Sequence, residues 1–229
     1  VAAITTPQTV VELSLLTITP SVTLTSCATG PVTWSVSPAL PSGALLNTLT
    51  GVITWTPACG TANTYGPFTL TATAASGDAA SSNPFTIVVS PKTYTITASA
   101  GPGGSISPSG SVSVNCGANQ AFSITPDGCH TIADVLVDGV SVGAVSSYTF
   151  TNVTAGHTIA ASFTLNSYTI AASAGANGVI SPNGNVSVSC GANQAFSITP
   201  NTCYSIADVL VDGSSVGAVS SYTVTNVTA

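Results

Sequence analysis

Charged side chains are almost missing from this chain. Its 229 residues include one lysine or arginine and seven acidic residues, so that only 3% of the side chains are charged. An average soluble protein has about 25%. A chain with a single base has no basic surface to neutralise phosphates, which excludes nucleic acid as a partner and electrostatic docking on anionic membranes.

Methionine and long apolar runs are missing too. The sequence contains no methionine, and no apolar run approaches the ~20 residues that a membrane-spanning helix needs. We therefore predict no membrane span in this segment. Because the chain begins at Val1 and not at methionine, we expect that a signal peptide or upstream region has been removed.

Strand-forming and turn-forming residues make up most of what is present. The 21 glycines and 14 prolines separate short runs of Val, Ile, Thr, Tyr and Phe. β-branched and aromatic residues favour strands, and glycine and proline favour turns. The long polar side chains of helical surfaces are scarce. The sequence predicts an all-β fold, built as three small β domains in series.

An internal repeat divides the chain. Segments 93–155 and 167–229 align without a gap at an offset of about 74 residues, and about 49 of 63 aligned residues are identical. Both contain "CGANQAFSITP", "IADVLVDG" and "VGAVSSYT". We predict a β-sandwich domain at 1–92, a first repeat at 93–166 and a second repeat at 167–229 that lacks its last strand.

Each repeat has the pattern of several short strands. In the first, Val112, Val114 and Cys116 alternate with polar residues, and the same period of two recurs at 122–124, 148–150 and 159–163. This alternation predicts half-buried strands. Asp138-Gly139, between Val137 and Val140, predicts a two-residue hairpin turn with positive φ angles.

The first 92 residues have their own pattern. Apolar alternation predicts sandwich strands at 22–24, 32–36, 68–70 and 85–89. The segment 32–57 runs strand, Leu-Pro-x-Gly, Leu-x-Asn, Thr-Gly, strand, x-Pro, through Leu40, Pro41, Gly43, Leu46, Asn47, Thr50, Gly51, Ile53 and Pro57. This text resembles the immunoglobulin-like (cadherin-like) domains of bacterial surface proteins, which implies a β-sandwich.

The two repeats resemble a second bacterial family. The text "GGSISPSG", "FSITPD" and "IADVLVDGVSVGAVSSYTFTNVTAGHTIAASF" is similar to the divergent repeats found in tandem on secreted and cell-surface proteins, related to the B-repeat of internalin-type adhesins. The resemblance implies a spacer, stalk or adhesive module and no catalytic unit.

Six cysteines occur two per domain, and the equal spacing in the two repeats favours pairing within each domain. The predicted pairs are Cys27–Cys59, Cys116–Cys129 and Cys190–Cys203. Free core thiols and thiolates that bind a metal are the alternatives, although no Cys-x-x-Cys spacing is present. Disulfides predict an oxidising compartment, hence an extracellular or cell-surface location.

The sequence offers little for catalysis. Its two histidines are His130 and His157, and the second repeat has Tyr204 in the place of His130. Asp134 and Asp138 stand four apart on a strand, roughly 13 Å, which is too far for an acid–base pair or one ion. We predict no catalytic residue, cofactor or metal, although a calcium site completed by other loops is an alternative.

Two further groups of residues suggest ligands or modifications. Trp34 and Trp55 can form a sugar-stacking platform, whereas the alternation around Trp34 favours a place in the core. Sequons for N-linked glycans stand at Asn152, Asn185 and Asn226.

The end of the second repeat suggests how the chain assembles. The first repeat continues into a strand at 157–163 that has no counterpart after Ala229. Either the chain is an excerpt of a longer protein, or a neighbouring molecule donates the strand; the predicted donor is Val1, Ala2, Ala3 and Ile4. We expect a structural protein of a cell-surface filament or adhesin stalk that associates with itself. The alternative is an adhesin or carbohydrate-binding module with a host-surface or glycan ligand.

Overall fold

The computed structural model describes residues 1–24 and 30–229. These residues form β-strands and turns, and no helix within them could cross a membrane. The predicted all-β class is confirmed. The strands are β1 Gln8–Val11, β2 Leu16–Ile18, β3 Val32–Ser37, β4 Leu45–Leu46, β5 Ile53–Trp55, β6 Asn63–Ala74, β7 Ala79–Ser81, β8 Phe85–Ser90, β9 Thr93–Ala100, β10 Gly104–Ser107, β11 Gly110–Asn115, β12 Gln120–Pro126, β13 His130–Val137, β14 Val140–Ser141, β15 Ser147–Phe150, β16 His157–Leu165, β17 Ser167–Ala172, β18 Gly178–Ser181, β19 Gly184–Ser189, β20 Gln194–Pro200, β21 Val209–Val211, β22 Ser214–Gly217 and β23 Ser221–Val224.

The first domain is a sandwich of two sheets. One has the order β1-β8-β6-β3, with β7 beside β6, and the other has the order β2-β5-β4. Alternation in β6 turns Phe68, Leu70 and Ala72 into the core and leaves the residues between them half-buried. The core also contains Ile4, Val10, Leu16, Ile18, Trp34, Ile53, Trp55, Phe85, Ile87 and Val89.

One strand predicted for this domain is not formed. Val22 and Leu24 lie in a segment without strand structure, next to Pro20, which has no N–H to donate to a sheet. The carbonyl of Ser21 instead accepts a hydrogen bond from the N–H of Ala2 (2.9 Å).

The first repeat contains a three-stranded sheet β10-β12-β15 and a five-stranded sheet β11-β9-β16-β13-β14. The second repeat reproduces the first of these as β18-β20-β23. Its other strands form two separate pairs, β17-β19 and β21-β22. In the first repeat, β16 lies between β9 and β13 and joins them into one sheet. The described part of the second repeat contains no equivalent of β16, so its two strand pairs stay separate.

The hairpin predicted at Asp138-Gly139 is confirmed in both repeats. Asp138 and Gly139 have φ angles of 49° and 80°, and Asp212 and Gly213 repeat these values. β13 pairs with β14 across the first turn and β21 pairs with β22 across the second. An aspartate followed by a glycine accepts two positive φ angles at low cost, which is why the turn lies there.

Internal contacts divide the chain into two compact units. One consists of Val1–Ile96, Ser111–Ala121 and Thr149–His157, and the other of Thr97–Gly110, Phe122–Tyr148 and Thr158–Ala229. The boundaries at residues 92 and 166 stay a prediction that rests on the sequence repeat.

Candidate functional site: repeated disulfide junctions

The two disulfides join cysteines that lie in different predicted domains. Cys59 is bonded to Cys116, and Cys129 is bonded to Cys190, with Cα–Cα separations of 5.3 and 5.4 Å. Both separations are close to the usual value for a disulfide. The predicted pairing within each domain is therefore wrong for these four cysteines. Cys27, the predicted partner of Cys59, lies outside the described residues.

The backbone explains why the cysteines pair across the predicted boundaries. Cys116 directly follows β11, and its N–H donates to the carbonyl of Lys92 (2.7 Å), the residue before β9. In the second repeat the N–H of Cys190 donates in the same way to Asn166 (2.9 Å), the residue before β17. Each repeat therefore holds this cysteine beside the residue that precedes its first strand.

Residues that precede each predicted boundary also bind Lys92 and Asn166. The N–H of Asn166 donates to the carbonyl of Cys129 (2.8 Å). The N–H of Lys92 donates to Glu12 Oε2 (3.1 Å), and Glu12 Oε1 accepts the N–H of Ala62 (2.9 Å). Glu12 is only 1% exposed, so these two bonds satisfy a buried carboxylate. Sequence reasoning missed this role, although a lone glutamate between Val11 and Leu13 was a signal for it.

Cys203 occupies the position in the second repeat that Cys129 occupies in the first. It is exposed, and among the described cysteines it is the one without a disulfide partner. The predicted Cys190–Cys203 pair does not form, because Cys190 is bonded to Cys129.

The second repeat has an open groove between β17 and β21. Its volume is about 530 Å³. Five of the apolar side chains that line it are half-buried, whereas their counterparts in the first repeat are buried. In each of the following pairs, the first residue belongs to the second repeat and the other is its counterpart in the first repeat: Ile170 and Ile96, Ile180 and Ile106, Ile198 and Ile124, Val209 and Val135, and Val224 and Phe150.

The predicted donor strand is engaged in its own domain. Ile4 is 7% exposed and belongs to the sandwich core. The N–H of Ile4 donates to Asn83 Oδ1 (2.8 Å), and Asn83 Nδ2 donates to the carbonyl of Ile4 (3.0 Å). For Val1, Ala2, Ala3 and Ile4 to act as donor, this segment would have to leave those contacts.

The two tryptophans do not form a sugar platform. Trp34 is 6% exposed and Trp55 is 3% exposed. The Trp55 ring packs edge-on against Tyr65, with 5.1 Å between the ring centroids. Stacking on a sugar requires an exposed ring face, so the interpretation of these residues as core is the correct one.

The asparagines of the three sequons are exposed, and Asp134 and Asp208 accept hydrogen bonds from residues close to them in the sequence. Asn152, Asn185 and Asn226 are exposed, as glycan attachment would require. Asp134 Oδ1 accepts the N–H of Val135 (2.9 Å) and the hydroxyl of Ser141 (2.7 Å), and Asp208 makes the equivalent bonds.

The histidines are not brought together. His130 Nδ1 lies 2.6 Å from Asp127 Oδ1 on the surface, and the His157 ring packs against Phe150, with 4.9 Å between ring centroids. The His130 hydrogen bond, followed by that from the Cys129 N–H, lowers the pKa of Asp127 below its ordinary 3.8. Within residues 1–24 and 30–229, no three His, Cys, Asp or Glu side chains are grouped to hold a metal ion.

One comparison with known proteins supports the immunoglobulin-like assignment of the first domain. A family model described as "Putative Ig domain" matches residues 1–90. No curated protein matches the chain. Similar solved structures include the fibronectin(III)-like modules of Clostridium thermocellum CbhA, with 13% identity over 69% of this chain and 89% of that one and a TM-score of 0.28. Extracellular domains 3–5 of Drosophila OTK are 10% identical over 85% of this chain and 72% of that one, with a TM-score of 0.27.

Proposed function

We propose that this chain is a load-bearing segment of an extracellular structural protein, in which β domains are joined in series by disulfides. The observation that carries the proposal is the repeated junction, Cys59–Cys116 and then Cys129–Cys190. Disulfides are typical of secreted proteins and suit an oxidising, extracellular location. The immunoglobulin-like first domain and the resemblance of the repeats to bacterial surface modules support the same function.

Disulfides between domains limit how far a pulled chain can extend. When force is applied at the two ends, it passes from Cys59 to Cys116 and from Cys129 to Cys190 without stretching the intervening residues. The loops span 57 and 61 residues, which is about half of the chain. A domain that unfolds under load therefore cannot extend to its full chain length. This limit on extension is useful in a stalk or fibre.

Single-molecule stretching of the full chain tests this proposal. The fully unfolded chain should lengthen by about 400 Å when a reductant opens both loops, at ~3.4 Å per residue. Disulfides within each domain would release only about 200 Å by the same conversion. Extension that does not change on reduction would overturn the proposal. The matched control is a chain with Cys59, Cys116, Cys129 and Cys190 replaced by serine, which should reach full length without reductant.

A finer form of the proposal is a filament of chains associated head to tail. The open groove of the second repeat supports it, because a strand from a neighbour would complete the sheet and a head-to-tail contact that does not close generates a fibre. Negative-stain microscopy of the full chain tests for fibres. Fibres that persist after deletion of residues 1–6 would exclude the N-terminal segment as the donor.

The alternative of a carbohydrate-binding module loses its main support. It depended on Trp34 and Trp55, and both are in the core.

A further inference from the structure

The turn between β1 and β2 is hydrogen-bonded to two segments that lie far apart in the sequence. Its residues are Glu12 and Leu13. The N–H of Glu12 donates to the carbonyl of Ser90 (3.0 Å), and the N–H of Leu13 donates to the carbonyl of Pro57 (2.8 Å). The backbone of one turn therefore holds both the segment that begins at residue 57 and the segment that begins at residue 90.

The Glu12 carboxylate binds the same two segments a second time. Oε1 accepts the N–H of Ala62 (2.9 Å), which follows Cys59 in the first segment, and Oε2 accepts the N–H of Lys92 (3.1 Å) in the second. The carbonyl of Lys92 in turn accepts the N–H of Cys116 (2.7 Å). A continuous series of hydrogen bonds thus leads from the segment of one cysteine, through Glu12, to the other cysteine.

Leu13 has a backbone conformation that is costly for a leucine. Its φ angle is 63°, in the left-handed region that residues other than glycine rarely adopt. The side chain is 49% exposed, so burial of the leucine does not account for this conformation. Such strain persists where the surrounding structure imposes it, and it is concentrated at sites that have a role. The bonds of this turn to both segments are the constraint observed here.

At the second disulfide, a single residue makes the corresponding contacts with its backbone alone. Asn166 donates its N–H to the carbonyl of Cys129 (2.8 Å), and its carbonyl accepts the N–H of Cys190 (2.9 Å). Lys92 has the place of Asn166 at the first disulfide, but its N–H donates to Glu12. Glu12 therefore supplies the contact that the carbonyl of a cysteine supplies at the second disulfide.

We infer that Glu12 is a positioning residue for the Cys59–Cys116 disulfide: it holds the two thiols within reach of each other before they are oxidised. With glutathione disulfide as the oxidant, one thiolate forms a mixed disulfide and releases one glutathione. The other thiolate then attacks the protein sulfur, the S–S bond closes and the second glutathione leaves. Glu12 favours this second exchange, because preorganised groups react at a high effective concentration. This role deepens the proposed function, on which it rests, by naming the residue that directs one of its disulfides.

Equilibration of the full chain with reduced and oxidised glutathione tests this role. After acid quenching and alkylation, mass spectrometry of fragments gives the fraction of each disulfide and hence the effective concentration of each thiol pair. Glu12→Gln turns an NH₂ group toward a buried donor, so the value for Cys59–Cys116 should fall about tenfold. The value for Cys129–Cys190 should not change. No fall at Cys59–Cys116, or an equal fall at both disulfides, would overturn the assignment.

Asp127→Asn is the matched control, because it also converts one carboxylate to an amide. Asp127 Oδ1 accepts the N–H of Cys129 (2.9 Å), so this carboxylate lies at the other disulfide. The substitution should leave the effective concentration of Cys59 and Cys116 unchanged. A fall as large as that caused by Glu12→Gln would show that the change in charge is the cause, and the role of Glu12 would be wrong.

A double-mutant comparison separates positioning from ordinary stabilisation. Glu12→Gln is made in the parent chain and in a chain with Cys59→Ser and Cys116→Ser, and tryptophan fluorescence follows unfolding. Because coupling between Glu12 and the disulfide is reciprocal, the unfolding constant should rise about tenfold more in the chain that has the disulfide. Equal increases would mean that Glu12 is only structural. Glu12→Asp, which keeps the charge and shortens the side chain by one methylene, is a second variant for the same comparison.

This role and the proposed function can fail separately. If Cys59–Cys116 forms as readily in Glu12→Gln as in the parent, the role of Glu12 is wrong, while the disulfide series and its stretching experiment are unaffected. If the parent itself forms no Cys59–Cys116 bond at any glutathione ratio, the proposed function fails together with it.

Discussion

Cys129 is bonded to Cys190, although 61 residues separate them in the sequence. Asn166 lies between them in the backbone network: its N–H donates to Cys129 and its carbonyl accepts from Cys190. The covalent bond and the two hydrogen bonds thus act at the same place. Asn166 therefore holds the junction between the repeats together with the two cysteines.

Removal of this disulfide should destabilise the repeats. On the chain-entropy model a closed loop of this size contributes about 4 kcal/mol. We expect Cys129→Ser together with Cys190→Ser to lower the guanidinium midpoint of repeat unfolding, followed by circular dichroism. Cys203→Ser is the matched control, because that thiol is exposed and unpaired, and its midpoint should stay unchanged. A double variant as stable as the parent would contradict the assigned pair.

Thiol labelling checks the connectivity directly. In the folded, unreduced chain, an alkylating reagent should modify Cys203 and leave Cys59, Cys116, Cys129 and Cys190 unmodified. Digestion without reduction, followed by mass spectrometry, should then give linked fragments for 59–116 and 129–190. Fragments that link Cys190 to Cys203 would instead restore the pairing predicted from sequence. Because one lysine is the sole tryptic site, the digestion needs a protease that cleaves at apolar residues.

Glu12 should be important for the stability of the first domain. Its carboxylate accepts N–H groups from Ala62 and Lys92 in a buried site. Glu12→Gln replaces one acceptor oxygen with an NH₂ group that faces a donor, which should cost about 1–3 kcal/mol. The fluorescence of Trp34 and Trp55, both in this domain's core, reports its unfolding. Asp78→Asn, at an exposed turn, is the control, and an equal effect of both substitutions would contradict the role of Glu12.

The sequence predicted local features well and the pairing of cysteines poorly, for a physical reason. Alternation at 112–116 and the Asp138-Gly139 turn depend on neighbouring residues, and both were found where expected. The pairing of Cys116 depends on its place beside Lys92, where the chain enters the repeat, and on the position of Cys59 in the fold. No local pattern encodes that choice, and the equal spacing of Cys116–Cys129 and Cys190–Cys203 reflects duplication of the module and not a bond within it. The alternation of apolar residues around Trp34 was enough to predict that it is buried. The role of Glu12 depends on its hydrogen bonds with Ala62 and Lys92, which the sequence does not reveal.

The contact between Asp127 and His130 predicts a pH dependence limited to the first repeat. The hydrogen bond to His130 lowers the pKa of Asp127 below 3.8. The contact therefore contributes all of its stabilisation at pH values above the pKa that Asp127 has in the unfolded chain. Its contribution fades as the pH falls through the lowered value. His130→Tyr, which copies Tyr204 of the second repeat, should move the pKa back toward 3.8, as followed by NMR of the Asp127 carboxyl. His157→Tyr is the matched control, since that ring packs on Phe150; an equal change in both variants would show that the His130 contact is not the cause.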